Sequence, residues 1–334
     1  MSKRVQRIVV IGLSNVGDAV LMSPVVQRLH ARYPDAVMTL FVGERARAVF
    51  EHDPRVHELQ CLDDFHGGLG KLRLLLAIRR LRPDVLIDLR STMLPLCWRP
   101  WRAWRYFAPV PSSIRHMRDR HLWRLSRQDP DSSRQDAEPG SLLAISPDEE
   151  SRVDRMMERW NLRPGKRLVV ICPGTRSHIK RWYPDRFAAI ADRLIKTMDA
   201  EIVFTGEPDE APIVQEILKS MDHVAHNATS CTTIAQLGSL MQRAELVITN
   251  DSASLHIACA MGTPVLALFG PTDPIKYGPT GQGDRAIQRR LFCVPCEAAL
   301  CRFSHECMRY IPVDEVYQAA CRILGAPAAP PVTR

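Results

Sequence analysis

No run in this chain approaches the roughly 18 apolar residues that a helix needs to cross a bilayer. Nor does it open on an export signal, because Met1 to Arg7 leads directly into the strand-like Ile8-Val9-Val10-Ile11 with no long apolar stretch before it. Its ten cysteines are therefore expected as mostly free thiols in a reducing cytoplasm, not as a disulfide framework. The HExxH and GxSxG motifs are missing, which counts against metalloprotease and α/β-hydrolase chemistry. Gly12 and Gly17 stand without the rest of a dinucleotide-binding fingerprint.

Acids and lysines are scarce in one segment. Between Arg90 and Arg127 there are nine arginines, no lysine and a single acid, Asp119, so this stretch alone accounts for the formal net charge of +8. It also holds Trp98, Trp101, Trp104 and Trp123, with Arg99, Arg102 and Arg105 interleaved. Indole rings beside guanidinium groups suit an anionic membrane surface or an anionic amphiphile. The bland alternative is a solvated basic face whose tryptophans pack inward. No nucleic-acid-binding module accompanies the charge, so nucleic acid is not an expected partner. Pro95 and Pro100 argue against one uninterrupted helix here.

What is present describes a globular protein. A chain of 334 residues, 46% hydrophobic and 25% charged, is long enough for two domains with their own cores. Strand-like and helix-like stretches alternate: Arg7 to Gly12, a turn at Ser14 to Asp18, a helix to Tyr33, strand Val37 to Val42, a helix from Glu44, strand Val56 to Leu62, a helix over Lys71 to Leu81, and strand Val85 to Leu89. Pro24 should kink or restart the first helix. After an exposed loop over Pro130 to Gly140 and a helix over Pro147 to Trp160, the alternation resumes beyond a hinge at Arg163-Pro164-Gly165. Strands Leu168 to Cys172 and Glu201 to Thr205 alternate with helices Pro184 to Thr197 and Ala211 to Leu218. Such alternation predicts parallel sheets covered by helices, in two doubly wound α/β domains over residues 1–160 and 161–334 with a cleft between them. Ligands of such sheets bind beyond the carboxyl ends of the strands.

Four post-strand loops carry polar groups. In the first, Asp18 is placed either to cap its helix or to serve as a general base. The second, Cys172 to Trp182, gathers hydroxyls and basic groups; Thr175 and Lys180 suit the charge of a departing diphosphate. The third supplies Glu207 and Glu210, acids able to accept from ribose hydroxyls or simply to precede a helix. The fourth is the most informative. Val247 to Pro274 reads as strand, polar turn, short helix and second strand, with Asp251 and Ser252 offering N-cap oxygens, Gly262 at the helix end and His256 one turn after Ser252, where its ring either faces the phosphates or packs inside, the buried structural role being favoured on spacing alone. A helix that starts there aims unpaired N–H groups at the strand tips, a favourable place for a diphosphate. Near the end, Cys293-x2-Cys296-x4-Cys301-x5-Cys307 brings four thiols within fifteen residues, in spacings that admit a structural metal, free thiols or a labile disulfide.

In order and spacing, GLSNVGDAVLMSP, CPGTRSHIKRWYPDRF, FTGEPDE and TNDSASLHIACAMGTPVLALFGPTDP resemble the signature blocks of glycosyltransferase family 9, the lipopolysaccharide heptosyltransferases. The resemblance runs from Arg7 to about Val316 and thins between Arg90 and Gly140. It implies a GT-B fold of two Rossmann-like domains, an ADP-heptose donor held mainly by the second, and transfer to an anionic lipid A inner-core acceptor near the first. It also implies an inverting single displacement that needs no metal or other cofactor, on the inner face of the inner membrane. By the same resemblance, Asp18 matches the catalytic aspartate, Thr175 and Lys180 the donor-phosphate contacts, and Asp251, Ser252 and His256 the donor-binding turn. Glu207 or Glu210 matches the ribose acid. Arg99, Trp101, Arg102 and Arg105 then fall to acceptor and membrane contact. Ser252-Ala253 departs from the Thr-Gly or Ser-Gly pair common at that turn. Transfer of another nucleotide-activated sugar, transfer to a different acceptor, and a non-catalytic nucleotide-sugar-binding protein are the competing readings.

Overall fold

A computed structural model describes residues 4–67, 69–92, 94–95, 104–131, 142–162 and 165–325. The chain divides into two compact units, Met1–Ala144 and Ile145–Arg334.

The first unit is built on a parallel sheet of β1 (Arg7–Ile11), β2 (Val37–Val42), β3 (Glu58–Cys61) and β4 (Val85–Asp88), in the order β3-β2-β1-β4. Ile8 to Ile11 are buried throughout, as expected of a central parallel strand with helices on both faces. The helix Val16–Arg32 runs through Pro24 without the restart that was one of the two expected outcomes. Pro24 cannot donate to the carbonyl of Val20, but the Ser23 hydroxyl donates to that oxygen at 2.7 Å and replaces the missing bond.

The second unit has six parallel strands: β5 (Arg167–Cys172), β6 (Ala200–Phe204), β7 (His226–Asn227), β8 (Leu246–Asn250), β9 (Val265–Phe269) and β10 (Arg285–Gln288), in the order β10-β9-β8-β5-β6-β7. Its core joins β5, β6, β8 and β9 to the helices Pro184–Met198 and Val313–Ile323 through Phe187, Leu194, Phe204, Val316 and the buried Trp182. The boundary lies earlier than the expected division at 160/161, because the helix Pro147–Arg159 belongs to the second unit. Its Glu149 accepts from Gln236 at 2.5 Å, and Arg243 donates twice to its Asp154, at 3.0 and 2.7 Å. These bonds tie it to the helix Ile234–Gln242 and the turn that follows.

Candidate active site

In the second unit the loops after β5, β6, β8 and β9 leave the same edge of four neighbouring strands. After β8, Asp251 is buried and its Oδ2 accepts from Lys180 Nζ at 2.6 Å and from the Thr272 hydroxyl at 2.5 Å. Lys180 comes from the β5 loop and Thr272 from the β9 loop, so one carboxylate oxygen gathers groups from three strand ends. Asp251 is thus not a helix cap. Ser252 is the N-cap of the helix Ala253–Met261, without a capping side-chain bond, and its hydroxyl instead lies 3.2 Å from that of Thr249. The Ser252 side chain therefore does not occupy the N–H groups at the start of that helix. Gly262 ends the helix at φ +75°, a left-handed conformation that favours glycine.

Asn250 holds the β5 loop in place. It is fully buried, its amide donates to the Pro173 carbonyl at 2.7 Å, and its oxygen accepts from the Trp182 N–H at 3.1 Å. Within the loop, Thr175 is buried and its carbonyl accepts from Arg181 Nε at 2.8 Å. Cys172, at the end of β5, is wholly buried, and burial pushes its thiol up to about 12, which makes it inert as a nucleophile. His256 is also buried.

After β6, the two acids of the third loop separate. Glu207 is exposed, whereas Glu210 is half-buried and accepts from the Glu207 N–H at 2.9 Å. The Glu210 carboxyl lies against Gly174, where an added Cβ would stand only 1.9 Å from its Cδ, so the absence of a side chain at 174 makes room for it. Burial raises the Glu210 pKa above the ordinary carboxylate value.

In the first unit, Asp18 lies in the first turn of its helix and is partly exposed. Its Oδ2 accepts from the Asn15 side-chain amide at 3.1 Å. A second link reaches the same loop: Arg90 Nη1 donates to the Ser14 hydroxyl at 2.9 Å, while the Arg90 N–H donates to Asp88 at 2.9 Å. Asp88 is completely buried at the end of β4, where it also accepts from the N–H and hydroxyl of Thr92, each at 2.7 Å. Burial raises its pKa, against these hydrogen bonds. Arg105 lies on the short helix Trp104–Phe107, while Arg99, Trp101 and Arg102 lie outside the described residues.

Sequence reasoning named Asp251 and Lys180 as separate members of two loops; the structure joins them. It passed over Asn250 and Arg90, and placed Thr272 only within the loop Phe269 to Pro274 that follows the next strand and lies over the same crevice. Cys293, Cys296, Cys301 and Cys307 are unpaired and line one cavity of about 450 Å³. Among the described residues no group of three or more His, Cys, Asp or Glu side chains is placed to hold a metal ion.

Residues 125–306 match glycosyltransferase family 9 (heptosyltransferase). The chain belongs to that family. It is 26% identical over 289 residues to lipopolysaccharide heptosyltransferase 3 of Escherichia coli, covering 79% of this chain and 83% of that protein. Among solved structures, the family 9 glycosyl transferase from Veillonella parvula superposes with a TM-score of 0.82 at 23% identity, covering 97% and 98% of the two chains. The ADP-heptose lps heptosyltransferase II of E. coli does so with a TM-score of 0.72 at 21% identity, covering 96% and 98%. The fold is accordingly GT-B, two Rossmann-like units, as the family resemblance implied.

Proposed function

We propose that this family 9 glycosyltransferase moves heptose from ADP-heptose to the inner core of lipopolysaccharide. The observation that carries the reading is the convergence of Lys180 and Thr272 on Asp251 beside the N-terminus of the helix Ala253–Met261. An ammonium group and the N-terminus of a helix at adjacent strand ends fit a diphosphate.

In this reading the second unit, residues 145–334, holds the donor. Lys180 and the Thr175 hydroxyl contact the diphosphate, and Ser252 and the buried His256 belong to the turn that shapes its seat. Glu210 takes the ribose hydroxyls in preference to Glu207, because it is the acid packed against the β5 loop that carries the phosphate contacts.

The first unit then presents the acceptor. The acceptor hydroxyl oxygen attacks C1 of heptose from the face opposite the leaving group, the bond from C1 to the diphosphate oxygen breaks, and configuration inverts. The hydroxyl proton passes to Asp18 as attack proceeds, since a sugar hydroxyl is too weak an acid to ionise beforehand. The negative charge that develops on ADP is neutralised by Lys180.

The anionic acceptor lies on a bilayer, so the enzyme works as a peripheral protein on the inner face of the inner membrane. Among the described residues no helix is long and apolar enough to cross a membrane. Arg99, Trp101, Arg102 and Arg105 are assigned to the acceptor and the membrane surface by their composition.

The test is ADP release from ADP-heptose with and without Kdo-lipid A or a heptosylated core, with mass analysis of the lipid and an Asp18→Asn variant. Acceptor-dependent release with one heptose added, lost in the variant, is the expected result. Failure to bind ADP-heptose would overturn the reading; binding with transfer only to another acceptor would restrict it to the donor.

A further inference from the structure

The segment that follows β10 holds large apolar side chains out in water. Phe292 is 86% exposed, Leu300 72% and Phe303 46%. The Phe292 and Phe303 rings meet edge to face with centroids 5.1 Å apart, so they form one patch. All three side chains line the cavity that Val294 and Pro295 also wall. A contiguous apolar patch at the mouth of a cavity is a contact surface in want of a partner.

Charge around the patch identifies the partner. Its carboxylates are neutralised within the chain: Glu297 by Lys276 at 2.9 Å, Glu306 by Arg309 at 3.7 Å, and Glu315 by Arg289. Arg290, two residues before Phe292, and Arg302, next to Phe303 on the cavity wall, have no carboxylate partner among the described residues. The patch therefore carries uncompensated positive charge beside exposed aromatic rings. A second copy of the chain docked face to face would oppose like charges, which disfavours it. A surface with an anionic outer layer and an apolar interior satisfies both features.

We propose that the segment Phe292–Phe303 docks the second unit on an anionic phospholipid bilayer. Phe292, Leu300 and Phe303 enter the interfacial layer while Arg290 and Arg302 stay at the headgroup phosphates. This contact does not depend on which sugar is transferred, and it is distinct from the Trp–Arg segment of the first unit.

Co-sedimentation of the full-length protein with vesicles tests it, comparing phosphatidylglycerol/phosphatidylcholine mixtures with phosphatidylcholine alone at low and high salt. The wild type is expected to favour the anionic vesicles and to release with salt. Arg290→Gln/Arg302→Gln should weaken that binding roughly thirty-fold, the effect of two arginines near an anionic surface. Phe292→Ser/Phe303→Ser should weaken it roughly ten-fold or more, and both pairs should keep wild-type affinity for ADP-heptose and the wild-type thermal midpoint. Vesicle binding unchanged in both pairs would overturn the proposal, as would equal binding to neutral vesicles. So would a wild-type dimer in sedimentation velocity that the Phe pair dissolves while vesicle binding persists.

Discussion

The Asn250 side-chain amide donates to the carbonyl oxygen of Pro173 across 2.7 Å, while its own oxygen receives the Trp182 N–H at 3.1 Å. One buried side chain thereby clamps both ends of the loop that carries Thr175 and Lys180. Because Asn250 immediately precedes Asp251, the clamp also sets where Lys180 meets that carboxylate. Asn250→Ala leaves a buried carbonyl and a buried amide without these bonds, an expected loss of about 1–3 kcal/mol in urea unfolding. It should also raise the KM for ADP-heptose about ten-fold or more through misplacement of Lys180. Unchanged unfolding and unchanged KM would remove the clamp from the account.

Lys180 and Thr272 share the same oxygen of Asp251, but their losses should read differently. Lys180→Gln keeps a donor for Asp251 and removes the charge that meets the leaving diphosphate, so kcat should fall by about 10²–10³. Thr272→Val removes one hydrogen bond to a carboxylate in a side chain of nearly the same shape. Its effect on kcat/KM should stay near ten-fold. Steady-state kinetics that gave Thr272→Val the larger kcat loss would reverse the roles assigned to the two side chains.

The parts of the fold legible in the sequence are those where burial on both faces forces an apolar run. Ile8 to Ile11, Val37 to Val42 and Leu168 to Cys172 read as strands because parallel strands under helices have no polar face. β10 escaped because it is an edge strand in which Arg285 and Ala286 are exposed and only Ile287 is buried. The helix Met117–Gln128 escaped because its arginines mask a narrow buried stripe of His121, Leu125 and Gln128. The loops that carry Asp18, Lys180 and Asp251 were legible from the motif order. The contact between Lys180 and Asp251 was not, since 71 residues separate them and only the strand order brings them together. Asn250 read only as part of the polar turn after an apolar strand; its role depends on partners, Pro173 and Trp182, that no local pattern marks.

The unbroken helix through Pro24 rests on the Ser23 hydroxyl bond to the Val20 carbonyl. Ser23→Ala should leave that buried oxygen unpaired at a cost of about 1–3 kcal/mol in urea unfolding. Pro24→Ala supplies the missing N–H, so in that background Ser23→Ala should cost much less. A double-mutant cycle checks this, and additive losses would show that the hydroxyl does not substitute for the helical bond.

Glu210 offers a pH dependence with a defined sign. Burial raises its folded-state pKa above the ordinary value of 4.5, so the protonated acid suits its site against Gly174 better than the carboxylate does. Folding stability linked to this group is fully present below about 4.5 and is lost as pH rises through the folded-state value. At neutral pH the charged form is therefore a local cost, which Glu210→Gln removes. The variant should melt at the same temperature as the wild type or slightly higher at pH 7, by less than about 1 kcal/mol given that the site is only half-buried. The difference should shrink as pH falls toward 4.5. Donor binding should move the other way, because an amide accepts more weakly than a carboxylate from ribose hydroxyls, and the Kd for ADP-heptose should rise about ten-fold. Melting curves across this pH range together with calorimetric titration of the donor separate the two effects. A variant that lost stability at pH 7 would remove the local cost assigned to the buried carboxylate, and one that bound donor as tightly as the wild type would remove Glu210 from the ribose site and leave Glu207 as the candidate.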